Sequence, residues 1–242
     1  EAPALLPVTS NEPSKHRRLE RKPILFMVLA LLAILIGGIV EMVPTFMIGD
    51  NIPKIASVKP YTALELQGRD LYIKEGCVNC HSQTIRPFRS ETARYGEYSK
   101  AGEFVYDRPF LWGSKRTGPD LHRIGGKYPN KWHFDHMMDP TITSPGSIMP
   151  AYPWLIEQEM DYSTLSDKMN ALRILGTPYS DQEVANAHQD ALQQAEGIVK
   201  DLAANQVVVQ SDREIVALIA YLQRLGTDIK AEPKTDVADE KQ

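Results

Sequence analysis

The sequence predicts a mostly α-helical protein in two parts. One N-terminal apolar helix is long enough to cross a bilayer, and a helical domain follows, built around a Cys-x-x-Cys-His stretch. Three observations carry this reading. From Ile24 to Val43 the chain runs ILFMVLALLAILIGGIVEMV, with Glu41 its single charge. Two segments far apart, 61–76 and 211–226, each join a helix-start signal to an apolar face and end in glycine. The only two cysteines in 242 residues stand in Gly76-Cys77-Val78-Asn79-Cys80-His81. The net charge is −4, and no dense basic patch is interleaved with aromatics, which argues against nucleic acid as a partner.

Residues 1–22 are rich in Pro, Ser and charge and read as a disordered tail or linker. The chain opens with Glu rather than Met, which fits processing or a place within a longer fused chain. Residues 23–44 read as a transmembrane anchor. At 1.5 Å per residue the apolar run covers about 30 Å, the thickness of the hydrocarbon core. A signal peptide has a shorter apolar region of about 7–15 residues and a small-residue cleavage site, whereas this run leads into Glu-Met-Val-Pro. A buried core helix would show a polar face, and this segment has none. Lys15, Arg17, Arg18, Arg21 and Lys22 precede it. That positive flank predicts a cytoplasmic N-terminus, with everything after the helix on the outer side. Gly37 and Gly38 leave a flat spot where a neighbouring helix could approach.

Residues 45–60 read as an extended linker broken by Pro53 and Pro60. A domain over 61–227 follows. In its first helix Thr62 and Glu65 form a capping box. Leu64, Leu71 and Tyr72, with Gly68 between them, share a face. That helix delivers its C-terminus to Cys77. In the last helix Ser211 and Glu214 suggest a second capping box, and Gly226 is the stop. Ile215, Leu218, Ile219, Leu222 and Leu225 make its apolar stripe. Between the two lies an added helical module near 155–205. Leu165, Met169, Leu172 and Leu175 predict one amphipathic helix there, and Asp181–Asn205 a second. Residues 228–242 are charged and read as a flexible tail.

The cysteine motif specifies a cofactor. Two thiols two residues apart, followed at once by histidine, are the attachment signature of one covalent haem c. Each thiol can add to one haem vinyl group, and the adjacent imidazole supplies the proximal axial ligand. A thioredoxin-like pair needs no following His and expects a βαβ context. A structural zinc site needs four ligands, and no second cysteine pair exists. Haem c is attached on the outer side of energy-transducing membranes, so motif and anchor place the domain in the same compartment.

Cys77 and Cys80 are therefore the expected thioether residues, and His81 the expected proximal iron ligand. Thr117-Gly-Pro-Asp-Leu121 resembles the Gly-Pro-x-Leu segment of class I cytochromes c. The resemblance implies that the Pro119 carbonyl accepts a hydrogen bond from His81, fixing the imidazole and strengthening it as a donor. Met149 stands in the proline-rich loop Ser144-Pro-Gly-Ser-Ile-Met-Pro-Ala-Tyr-Pro-Trp154, which has no helical period. The family's distal ligand commonly stands in a loop Met-Pro, so Met149 is the expected second axial ligand. Met137 and Met138 read as core side chains on a helix. His133 and His136, without further ligands nearby, read as hydrogen-bonding residues rather than a metal site. With both axial positions taken, no iron position is open for substrate, which points to electron transfer rather than catalysis. In the insertion 82–116, Arg86, Arg89 and Arg116 are candidates for contacts with the haem propionates. The aromatics there could pack on a partner subunit or the haem edge. The helix with Gly68 and the helix with Tyr221-Leu222 together resemble the crossed pair of the class I cytochrome c fold, here with insertions.

Assembled in order, several long segments resemble one family. They are Glu75-Gly-Cys-Val-Asn-Cys-His-Ser-Gln83, Ile85-Arg-Pro-Phe-Arg89, Gly102-Glu-Phe-Val-Tyr-Asp107, Leu111-Trp-Gly-Ser-Lys-Arg-Thr-Gly-Pro-Asp-Leu121 and Ile148-Met-Pro-Ala-Tyr-Pro-Trp154. Over roughly residues 24–226 the chain is similar to the mono-haem subunit (subunit II, FixO type) of cbb3-type cytochrome c oxidase. The resemblance implies a single-pass subunit in the bacterial inner membrane, its haem domain periplasmic. Electrons would arrive from a di-haem cytochrome c subunit or a soluble cytochrome c donor. They would leave for the catalytic haem–copper subunit, where oxygen becomes water in aerobic respiration and protons are pumped. The alternative is the cytochrome c subunit of a nitric oxide reductase, in which the Trp-Gly-Ser-Lys-Arg-Thr-Gly-Pro run is not expected. A haem-based sensor would need an iron site that opens easily.

Overall fold

A computed structural model describes residues 15–48, 53–113 and 115–230. The chain divides into two units, Glu1–Ile52 and Pro53–Gln242. In the first, α1 spans Lys15–Glu20 and α2 spans Pro23–Met47. Pro23 opens α2, where its missing N–H costs nothing. The apolar side chains of α2, among them Ile24, Leu31, Ile34, Ile36 and Val40, are exposed around the helix, as a surface meant for lipid requires. One expectation is corrected here. The tail expected over 1–22 is helical at Lys15–Glu20, and residues 1–14 lie outside the described residues. The anchor expected over 23–44 lies within α2, which carries Pro44 inside and runs three residues further, with the Ile48 N–H bonded to the Pro44 carbonyl at 2.9 Å.

The second unit is all helix and loop. Among its described residues there is no strand, only a single bridge between Glu159 and Arg213. Its centre is the crossing of α3, Ala63–Lys74, with α11, Glu214–Arg224. The Thr62–Glu65 capping box forms: Thr62 Oγ1 accepts the Glu65 N–H at 3.3 Å, and Glu65 accepts the Thr62 N–H at 2.9 Å. Gly68 makes the close crossing possible. A Cβ placed there would collide with the Ala217 carbonyl and come within 2.8 Å of the Tyr221 Cβ. Leu64, Tyr72, Ile215, Leu218, Ile219 and Tyr221 are fully buried around this point. Each such side chain contributes about 1.5–3 kcal/mol of transfer free energy. The crossed pair is the core expected of a class I cytochrome c-like domain.

The capping box expected at Ser211 does not form. The helix begins at Glu214 with Arg213 as its N-cap. Two competing partners explain this: the Glu214 N–H goes to the Gln158 carbonyl at 3.1 Å, and its carboxylate to Lys74 Nζ at 2.9 Å.

Four more helices flank the pair: α4, Arg89–Tyr95; α5, Asn130–Met138; α6, Pro140–Thr143; and α7, Trp154–Glu157. In the added module α8 covers Leu165–Ile174, and Leu165 and Met169 point into the core while Leu175 is exposed. The second module helix is broken in two. α9, Asp181–Ala185, and α10, Ala187–Ala204, meet at Asn186, whose φ of −95° and ψ of 5° leave the helical basin. α10 lays Ala187, Ala191, Ala195 and Leu202 against α3 and α11.

Residues 53–60 are irregular, with a turn at Ala56–Ser57 where the Val58 N–H bonds the Ile55 carbonyl at 3.0 Å, and they are fastened down. Ile55 lies against Gly102, Val58 is buried, and the Lys59 N–H donates to Asp228 at 3.1 Å. Asp228 also pairs with Arg224 and opens a 3-10 turn, Asp228–Lys230. The rest of the expected flexible tail, 231–242, lies outside the described residues, as do the linker positions 49–52.

Candidate haem site

The site begins where α3 ends. Glu75 caps the helix, and Gly76 takes the left-handed conformation (φ +71°), which releases the chain without Cβ strain. A 3-10 turn, Cys77–Asn79, follows. The Cys77 carbonyl accepts both the Cys80 N–H (3.1 Å) and the His81 N–H (2.9 Å), so the three motif residues share one turn. Both thiols are free; Cys77 is half-buried and Cys80 exposed. Burial, with the Glu75 charge behind it, pushes the Cys77 thiol up to about 12.

A second loop closes on this turn from the proximal side. His81 Nδ1 and the Pro119 carbonyl oxygen are 2.8 Å apart. A carbonyl only accepts, so Nδ1 carries the hydrogen and the Nε2 lone pair is left for a metal. Burial lowers the His81 pKa, and the Pro119 hydrogen bond opposes that shift. The ring lies over Gly118, where a Cβ would collide with His81 Cε1 and reach 2.7 Å from Nδ1. The Gly118 N–H donates to the Cys80 carbonyl at 3.0 Å, and the Leu121 N–H to the Ser82 carbonyl at 2.9 Å. Tyr72 adds a contact from α3, its hydroxyl donating to the His81 carbonyl at 3.2 Å.

The loop that carries Met149 is pinned at two points. The Tyr152 N–H donates to the Met137 carbonyl at 2.7 Å, and Trp154 Nε1 donates to Glu75 Oε2 at 3.0 Å, two residues before Cys77. Burial raises the Tyr152 hydroxyl pKa, and the nearby thiols of Cys77 and Cys80 add to the shift. Met149 is half-buried against the apolar core, its N–H donating to Ser147 Oγ at 3.2 Å. On α5, Met137 is buried and Met138 half-buried. His136 shares a hydrogen bond with Thr143, and burial, then His81, lowers its pKa. His133 is buried, its pKa lowered to about 4, and its Nε2 has no partner among the described residues.

The three arginines take different roles. Arg86 and Arg116 meet on one carboxylate, Glu91, whose pKa falls to about 2 chiefly through Arg116. Arg116 also donates to Ser82 Oγ at 2.7 Å and to the Thr84 carbonyl at 2.6 Å. These contacts engage its Nε and Nη2, and the side chain is half-buried. Arg89 is exposed at the start of α4. Sequence reasoning missed Glu91, Asp120 and the Gln83–Tyr221 hydrogen bond (2.9 Å). Glu91 and Asp120 each have one near partner, Arg86 and His122, but Arg116 on Glu91, Ser82 on Asp120 and Tyr221 on Gln83 lie far away in sequence, where no local spacing marks them. Ser114, within the Trp-Gly-Ser-Lys run, lies outside the described residues.

These residues fit a haem. Two unpaired thiols stand one turn from an imidazole whose Nδ1 is occupied and whose ring rests where a Cβ would sit. Among the described residues no cluster of three or more His, Cys, Asp or Glu is placed to hold a metal ion unaided. The family described as cytochrome C oxidase, mono-heme subunit/FixO matches residues 16–229. The chain belongs to the FixO family. It is a mono-haem subunit of a cytochrome c oxidase, an oxidoreductase complex with a catalytic subunit. The one described helix long and apolar enough to cross a membrane, Pro23–Thr45, makes this FixO-family chain a single-pass, membrane-anchored subunit. No curated protein matches the chain.

Proposed function

We propose that this subunit carries its single haem covalently, as haem c on Cys77 and Cys80, with His81 and Met149 as axial ligands. It relays electrons to the catalytic haem–copper subunit of a cbb3-type oxidase, which reduces oxygen to water and pumps protons. The observation that carries the reading is the one-turn placement of two free thiols and His81, with Nδ1 donating to Pro119 at 2.8 Å. When bound, the haem supplies a reversible one-electron iron couple. The chain's own residues do the rest. Pro119 and Gly118 hold the imidazole in one tautomer and one plane. The pinned 144–154 loop offers the Met149 thioether, and a filled sixth position removes any site for substrate, so the subunit has no catalytic site of its own. Arg86, Arg89 and Arg116 are the candidates for propionate contacts.

The cluster Lys15, Arg17, Arg18, Arg21 and Lys22 supports a cytoplasmic N-terminus and a periplasmic haem domain in the bacterial inner membrane. The donor in this reading is a di-haem cytochrome c subunit or a soluble cytochrome c. The test is purification of the intact membrane complex, with a haem spectrum, a metal inventory and a subunit inventory. The expected result is haem c on this chain beside a copper-containing, oxygen-reducing subunit. The Cys77→Ala/Cys80→Ala chain must lose covalent haem; covalent haem in that variant, or non-haem iron in place of copper, would overturn the proposal.

A further inference from the structure

The loop that presents the Pro119 carbonyl is held by one buried carboxylate. The Asp120 side chain is fully buried and gathers donors from three directions. Its Oδ2 accepts from Ser82 Oγ at 2.6 Å and from the Thr84 N–H at 2.8 Å. Its Oδ1 accepts the His122 N–H at 2.9 Å. Arg116 Nη2 stands 3.6 Å from Oδ2 and also bonds the Glu91 carboxylate. Ser82 and Thr84 follow His81 directly in the chain. Asp120 follows Pro119, and the accepting carbonyl belongs to the peptide unit that joins the two. The side chain therefore locks the segment after the proximal histidine to the peptide that histidine donates to.

We infer that Asp120 is a positioning residue for the proximal ligand: its carboxylate fixes the Pro119 carbonyl against His81 and sets the haem reduction potential. Two effects act in the same direction. A carbonyl held at 2.8 Å makes the imidazole a stronger donor, which favours the oxidised iron. The carboxylate's negative field, which reaches the His81 ring, also favours the more positive state of the centre. Both lower the potential. This inference rests on the haem-ligation reading above, and the two can fail separately.

The test is the midpoint potential of the full membrane-purified chain carrying Asp120→Asn, beside the unaltered chain. Asn keeps the size, removes the charge, and cannot accept from Ser82, Thr84 and His122 together. Covalent haem in the unaltered chain, read from its haem c spectrum, tests the ligation reading by itself. With haem incorporated at the normal ratio, the expected result is a higher potential. A tenfold shift of the oxidised-to-reduced ratio corresponds to about 59 mV for one electron. An unchanged or lower potential in a haem-loaded Asp120→Asn chain overturns the inference. If that chain fails to incorporate haem, Asp120→Glu must restore both incorporation and the normal potential, because it keeps the charge and the acceptors. Failure of Asp120→Glu overturns the inference too, since the site then needs a packing volume rather than a carboxylate.

Discussion

Gly68 on α3 faces the backbone carbonyl of Ala217 on α11 so closely that no side chain fits between them. Gly68→Ala must push the helices apart at the centre of the core. We expect a loss of about 3 kcal/mol or more, at the upper end of overpacking costs. Gly197 in α10 is the control: it is exposed and has nothing within 4 Å of a built Cβ. Gly197→Ala should stabilise by about 0.5–1 kcal/mol through helix propensity. Thermal unfolding of the two variants reads both signs. A neutral Gly68→Ala would mean that the helices do not cross at this point.

Met149→Ala should leave haem covalently attached through Cys77 and Cys80. The sixth position opens, the potential falls, and the reduced protein binds carbon monoxide. Redox titration and carbon monoxide difference spectra check this. An unaltered spectrum would assign the distal ligand elsewhere. Ready carbon monoxide binding with Met149 intact would instead argue against pure electron transfer.

Gly118→Ala places a methyl group where the His81 ring lies. The thioethers should survive, because the cysteines are untouched, but the ring must tilt and its bond to Pro119 must lengthen. The expected signature is a haem c spectrum with a raised potential and a partly high-spin fraction. A wild-type potential would show that the loop yields at no cost to ligation.

Acid stability should reflect two buried histidines. Burial, and then Arg123, lowers the His122 pKa to about 3. Burial, and then His136, lowers that of His133 to about 4. Both are neutral when folded, while the unfolded chain takes up protons below about pH 6.5. Stability is therefore full above that pH and falls as the pH drops toward the folded values, by at most about 1.4 kcal/mol per unit for each proton. His122→Gln should flatten the dependence of the melting temperature on pH between 6.5 and 4.5. Below about pH 4.5 Glu91 adds a further loss, since its depressed pKa contributes stability that disappears as the pH falls toward 2. An unchanged slope in His122→Gln would show that this imidazole is charged in the folded state.

What was legible in the sequence was local. A cysteine pair and a histidine at fixed spacing, a twenty-residue apolar run and the Thr62–Glu65 box each place their partners within a few residues. Local geometry decides such features almost unaided. The crossed helices were legible for a related reason: a glycine on an apolar face is an invitation to close packing whichever helix takes it up.

The failures were features decided by competition. Ser211 and Glu214 make a sound capping signal, yet Lys74 and the Gln158 carbonyl, remote in sequence, take the Glu214 groups first. The partners of Arg116 were equally out of view: folding brings Glu91, Ser82 and Thr84 to the Nε and Nη2 of its half-buried guanidinium. The sequence by itself determined that this chain attaches haem-binding chemistry to a membrane anchor, because that chemistry needs only a short spacing of thiols and imidazole. Only the tertiary structure decided what holds the Pro119 carbonyl behind the imidazole. The Asp120 carboxylate lies nearly forty residues from its Ser82 partner, and its hold on that segment exists only once burial makes every unpaired polar group costly.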